Sequence, residues 1–177
     1  NLEQSMQSLS NQEIDNAQIS SQSSLEDLEI FMQQMINLEQ NFQQETISEM
    51  TEKFQALMQD ILYLSSQEEQ LKSEVSQSSR NSPRLREFAG RQQLLQDQLQ
   101  SIANEMIKLS NETFAITPDI GRGIGKTNAG MQEAKIKLTE RNLNKAGKSQ
   151  DLAMEGLNET ALNLYNSIKD IQQSGSA

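Results

Sequence analysis

From Ile47 to Val75 the chain places apolar residues at alternating intervals of three and four: Ile47, Met50, Phe54, Leu57, Ile61, Leu64, Leu71 and Val75, with Glu68 the one polar member of the row. A row of this period, kept for four heptads, lines one side of a helix and turns it left-handed around its neighbours. The same device recurs downstream. Leu85, Phe88, Leu95, Leu99, Ile102, Met106 and Leu109 form a second row, with Gln92 at the intervening slot. Ile120, Ile124, Met131, Ala134 and Leu138 form a third, and Ala146, Ala153, Leu157, Ala161, Leu164, Ile168 and Ile171 a fourth. Upstream, Leu25, Leu28, Met32, Met35 and Phe42 make a shorter stripe. Strands need β-branched and aromatic residues, but aromatics are 4% of the chain and valine occurs only at Val75, so no sheet is expected.

The punctuation between rows sets the helix ends. Ser76 to Pro83 has no apolar residue and closes on serine followed by proline, which suits a loop and a helix start; Thr117-Pro118 repeats that device. Ser24 with Asp27 resembles a capping box, as does Thr46 with Glu49. The spacing therefore predicts an all-α fold, an antiparallel up-down bundle of four to five long helices with coiled-coil-like heptad packing. Its helices are expected at about 24–42, 46–77, 83–112, 118–141 and 144–173. The last four, at roughly 25–30 residues each, would be about 35–45 Å long. Residues 1–23 read as a short frayed helix and a polar linker, 24–173 as the bundle, and 174–177 as a disordered tail. Whether the helix breaks near 41–46 is left open by the periodicity.

Absent residue types exclude much chemistry. With no Cys there are no disulfides, no thiol nucleophile and no thiolate-held metal; with no His the commonest general base and transition-metal ligand are gone. No run of apolar residues is long enough to cross a bilayer, so the segment is expected to be soluble and not to insert in a membrane itself. A chain opening on Asn1 and entering a helical pattern at once reads as a fragment of something longer. Charge is unevenly spread: residues 1–77 hold 14 acids and two bases, residues 78–177 hold 11 acids and 13 bases. An acidic first half repels phosphate backbones, so no nucleic-acid partner is expected; oppositely charged helices side by side account for the asymmetry.

Four patterns resemble functional motifs. Gly121-Arg122-Gly123-Ile124-Gly125-Lys126-Thr127 is similar to a phosphate-binding loop, but Ile120 stands where the first glycine belongs and no strand precedes it. Close helix packing through small residues is the expected role, although each interior glycine weakens a helix by about 1 kcal/mol relative to alanine. Glu68 with Glu69 and Glu155 with Glu159 pair carboxylates, yet long helices use acids mostly as solvated faces; Glu68, on the seam, reads as a register device. Arg80, Arg84, Arg86 and Arg91 are expected to pair with acids of the preceding helix rather than grip an anionic partner. Methionines in an unbroken heptad pattern are core filler before they are an adaptable groove. No catalytic, cofactor-binding or metal-binding residue is assigned, and no cofactor is expected.

Beyond periodicity, Ile61-Leu62-Tyr63-Leu64-Ser65 with Gln67-Glu68, Arg91-Gln92-Gln93, Leu109-Ser110, Ala134 with Leu138, and Gln150 through Met154 with Leu157-Asn158 and Ala161-Leu162 carry a family resemblance. Over about residues 55–173 the chain resembles the C-terminal helical region of large membrane-anchored bacterial proteins of Bacteroidetes type, a domain of unknown function. The glycine-rich start of the third row, from Gly121 to Gly130, lies outside that resemblance. It implies a parent chain with transmembrane helices upstream and this portion on the extracytoplasmic side, and it supplies no catalytic residues. The expected function is a non-enzymatic helical module for protein–protein interaction or self-association. Leu28, Met32, Met35 and Phe42 would be its docking stripe if the chain itself leaves them uncovered. A mechanical spacer rod is the alternative, and a nucleotide- or metal-binding enzyme stands behind both.

Overall fold

In a computed structural model the structure describes residues 2–113 and 115–174. Side chains are described for residues 28–113 and 115–173, together with Gln22 and Glu26. Four helices hold nearly all of these residues: α1 (Leu2–Ser76), α2 (Leu85–Ser110), α3 (Pro118–Thr139) and α4 (Leu143–Ser174). No strand occurs among the described residues. The chain divides into two compact units, Asn1–Thr46 and Ile47–Ala177.

The second unit is an all-α bundle built on the predicted rows. Phe54, Ile61, Leu64 and Leu71 of α1 are buried with Phe88 and Leu99 of α2, Ile120, Met131 and Leu138 of α3, and Leu157 and Leu164 of α4. Cross-helix pairs set the directions. Going up α1, Lys53 meets Glu112 at 2.9 Å, Glu68 meets Gln92 at 2.6 Å and Glu74 meets Arg84 at 2.8 Å, so α2 descends as α1 rises. Gln93 takes a hydrogen bond from Lys135, and Gln96 donates to Asn128 at 2.9 Å, which reverses α3 against α2. Ser167 of α4 donates to the carbonyl of Ala115 at 2.8 Å and ties down the α2–α3 loop.

Two of the α3 glycines let it approach α4 closely. A Cβ on Gly130 would lie 2.6 Å from the amide nitrogen of Ala153, and one on Gly123 would lie 3.0 Å from the carbonyl oxygen of Gly156. Opposite them, Gly156 sits with its hypothetical Cβ 2.7 Å from the Gly123 carbonyl. Each helix thus offers a Gly-x-x-x-Thr step, Gly123 to Thr127 and Gly156 to Thr160. Each buried threonine hydroxyl donates back to its own glycine's carbonyl, at 2.9 and 2.8 Å. Around Gly121 and Gly125 there is open space, so those two weaken α3 without a packing return.

Helix ends depart from expectation in three places. The linker expected within 1–23 and the candidate break at 41–46 are both helical, within α1. Neither glycine nor proline occurs before Pro83, and Gln and Glu propagate a helix well, so polar composition alone does not end one. Thr46 caps nothing: its hydroxyl donates to the Phe42 carbonyl at 2.8 Å, as a mid-helix threonine does. Helix α2 begins at Leu85 rather than 83; Ser82 accepts the Arg84 amide at 3.2 Å within a turn that holds Pro83. Pro118 does open α3, although the Thr117 side chain makes no capping bond. The Ser24 and Asp27 side chains, the apolar side chains of residues 2–9 and the tail beyond Ser174 lie outside the described residues.

Candidate functional site

The stripe singled out in the sequence is on α1 in the first unit, and its apolar residues are open to solvent. Leu28, Met32, Met35 and Phe42 are 56%, 60%, 51% and 70% exposed. Ile30, Phe31, Ile36 and Leu38 join them, each also exposed. At 100° per residue, all but Ile30 fall within an arc of about 160°. Leu28, Phe31, Met35, Leu38 and Phe42 keep a strict three-and-four spacing, a signal already present in the sequence alongside the Leu28–Met32–Met35 reading. Together these side chains present on the order of several hundred Å² of apolar surface, as much as a whole soluble monomer leaves in its largest patch. The setting is uniformly acidic: residues 1–46 hold eight acids and no Lys or Arg.

Inside the second unit a polar layer crosses the dry core. Glu68, Gln92 and Gln150 are each 0% exposed. The Gln92 amide donates to Glu68 Oε2 at 2.6 Å, and the Gln150 amide donates to Gln92 Oε1 at 3.0 Å. Two oxygens end this chain without a donor, Glu68 Oε1 and Gln150 Oε1. Burial pushes the Glu68 carboxyl up to about 7, against the smaller opposing effect of the Gln92 donor. A proton on Glu68 removes the charge that burial penalises. Gln92 and Glu68 stood out in the sequence as polar members of their rows; Gln150 sits at a seam slot too, between Ala146 and Ala153.

The remaining motif residues are engaged in the bundle. Lys126 of the glycine-rich stretch lies between Glu155 and Glu159, 2.8 Å from each, and these carboxylates raise its ammonium pKa. Thr127 is buried with its hydroxyl proton committed to Gly123. The paired carboxylates Glu155 and Glu159 are thus a cradle for one lysine. Among the described residues, no group of three or more acidic side chains is placed to hold a metal ion.

The arginines divide. Arg84 and Arg91 both reach Glu74 of α1, at 2.8 and 2.9 Å, and hold its carboxyl below the ordinary range, Arg91 contributing most. Arg84 also lies over the Phe88 ring at 4.8 Å. Among the described residues, Arg80 and Arg86 form no such pair with the preceding helix. No helix among the described residues is long and apolar enough to cross a membrane. In comparisons with known proteins, no family model, no curated protein and no solved structure matches the chain.

Proposed function

We propose that the chain is a docking module, in which the stripe of Leu28, Met32, Met35 and Phe42 on α1 binds an amphipathic helix of a protein partner. The observation that carries this reading is the exposure of that stripe along fifteen residues of one helix. In the second unit the heptad rows are mostly buried, and the exposed apolar residues there, such as Leu62, Leu94, Ile107 and Leu162, lie off those rows. Charge selects the partner. A second copy would set acids against acids beside the seam, whereas a helix with Lys or Arg flanking its apolar face would meet complementary charge. The membrane-anchored bacterial parent suggested by the sequence resemblance belongs to the same proposal, and it would confine the search for the partner to membrane-associated proteins.

The test is the double substitution Met32→Glu and Met35→Glu. Covering those two side chains is worth about 3 kcal/mol, so their loss should weaken association more than a hundredfold while helicity and melting of the second unit stay unchanged. The readout is cross-linking to a purified partner helix with basic flanks, beside sedimentation equilibrium of the chain alone. Unaltered association in the variant, or a wild-type chain that stays monomeric and engages no basic amphipathic helix, would favour the spacer role instead.

A further inference from the structure

Three arginines at one end of the bundle lack what every neighbouring arginine has. Arg80 in the α1–α2 loop, Arg86 in the first turn of α2 and Arg141 after α3 make no ion pair among the described residues. The acids close to them in sequence are already engaged: Glu74 with Arg84 and Arg91, Glu87 with Arg84, and Glu140 with Lys137. In a chain of net charge −10, three unneutralised guanidinium groups gathered at one end are not a by-product of composition.

They surround two adjoining hollows. One is a cavity of about 440 Å³ with Arg86 and Arg141 in its wall, Ser82 and Thr139 also lining it, and Leu85 and Leu138 as its apolar part; the Thr139 hydroxyl donates to the Lys135 carbonyl at 2.9 Å. The other is lined by Arg80, Arg141, Asn142 and Asn144. No acidic residue lines either one, and Arg141 belongs to both.

Arg141 is also where the backbone departs from its easiest course. It is the one described residue other than glycine with a positive φ, at 59°. Helix α3 ends in a Schellman turn, with the Asn142 amide bonded to the Lys137 carbonyl at 2.8 Å and the Arg141 amide to the Leu138 carbonyl at 3.1 Å. The position Arg141 fills is the one that glycine takes most readily, because a Cβ crowds the carbonyl in the left-handed region. An arginine there costs backbone energy for which the bundle itself shows no return.

We infer that this end of the bundle binds a phosphate monoester carrying an apolar group, with Arg86 and Arg141 holding the phosphate and Arg80 completing the positive field. Guanidinium forks on separate elements suit a dianion with three equivalent oxygens. The Ser82 hydroxyl accepts the Arg84 amide and keeps its own proton to donate. Leu85 and Leu138 would cover the apolar group, and the volume is that of an ordinary small-molecule site. The same chemistry is found in a soluble ester and in a lipid headgroup. This inference is independent of the docking stripe.

The experiment titrates the full chain with phenyl phosphate by calorimetry and, separately, sediments it with vesicles of phosphatidic acid in phosphatidylcholine. Arg86→Gln and Arg141→Gly are the test variants; Lys108→Gln, near the far end of α2, removes the same charge away from the cavity. Arg141→Gly should melt at or above wild type, so its loss of binding cannot be unfolding. Saturable binding that falls at least tenfold in both test variants and holds in Lys108→Gln is the expected result. Binding to phenyl phosphate alone identifies a soluble ester, and vesicle binding lost with the same variants identifies a lipid head. No saturable binding to either probe, or equal weakening by Lys108→Gln, overturns the inference.

Discussion

Replacing Glu68 with glutamine should make the bundle more stable at neutral pH and leave it unchanged in acid. Glu68 is fully buried, its one polar partner is the Gln92 amide, and its Oε1 has no donor. Its carboxyl is raised from an ordinary 4.5 to about 7. A carboxyl whose pKa is higher folded than unfolded contributes stability that is complete below about pH 4.5 and is lost as pH rises through 7. A rise of that size is worth about 3 kcal/mol, which for a domain of this length is roughly 10 °C in Tm. Glutamine keeps the shape and the acceptor for Gln92 and carries no charge. Thermal melts followed by circular dichroism from pH 4.5 to 8 should show wild type losing stability across that window and Glu68→Gln losing far less.

The window is unusually clean. With no His and no Cys in the chain, no other side chain ordinarily titrates between pH 5.5 and 8. The difference between the two curves also cancels surface pairs such as Glu74 with Arg84 and Arg91, which titrate alike in both proteins. Parallel curves for wild type and variant, or a variant less stable at pH 8, would refute the argument from burial.

The remaining predictions concern packing, strain and the exposed stripe. Gly130→Val sets a side chain against the backbone of Ala153 and Ser149, atoms that cannot swing aside, and should cost about 3 kcal/mol in urea unfolding. Gly121→Ala meets open space within the same helix and should stabilise by about 1 kcal/mol, read the same way. Arg141→Gly relieves the positive φ and should raise Tm by a few degrees, for about 1 kcal/mol. Met32→Glu with Met35→Glu, both residues being more than half exposed, should leave the melting curve of the isolated chain within error.

Much of the bundle was legible because burial and heptad spacing say the same thing. Every seam residue from Phe54 to Val75 predicted to face inward is buried, apart from Glu68's status as a polar group that is buried as well. The row from Leu85 to Leu109 behaves likewise. What escaped was the course of the chain where polar residues dominate. Residues 16–24 carry no apolar period, and a helix there depends only on the absence of breakers, a weak signal against the habit of reading Ser and Asn as linkers. The divided fate of the arginines was illegible for another reason. Arg84 and Arg86 are two residues apart, which on a helix start sends one toward Glu74 and the other toward the cavity, and only the turn through Pro83 decides which. The exposure of Leu28, Met32, Met35 and Phe42 could be stated in sequence only conditionally, since a stripe looks the same covered or bare.

The polar layer has a further meaning when the heptad rows are considered as sliding surfaces. Apolar rows of identical period can slip past one another by seven residues and still bury apolar side chains, so spacing alone leaves the register of α1 against α2 degenerate. Glu68 and Gln92 remove that freedom. Sliding α2 by one heptad in either direction would put Glu68 opposite Leu85 or Leu99, and Gln92 opposite Ile61 or Val75, all four buried in the bundle. Glu68 would then stand in a dry core with no partner and the Gln92 amide with no acceptor, each at a cost of about 1–3 kcal/mol. Gln150 extends the constraint to α4 through its 3.0 Å bond to Gln92, and the Gly123–Thr160 and Gly156–Thr127 contacts bind α4 to α3 in one alignment only. A raised carboxyl pKa is thus the consequence of placing the register mark where water cannot reach it.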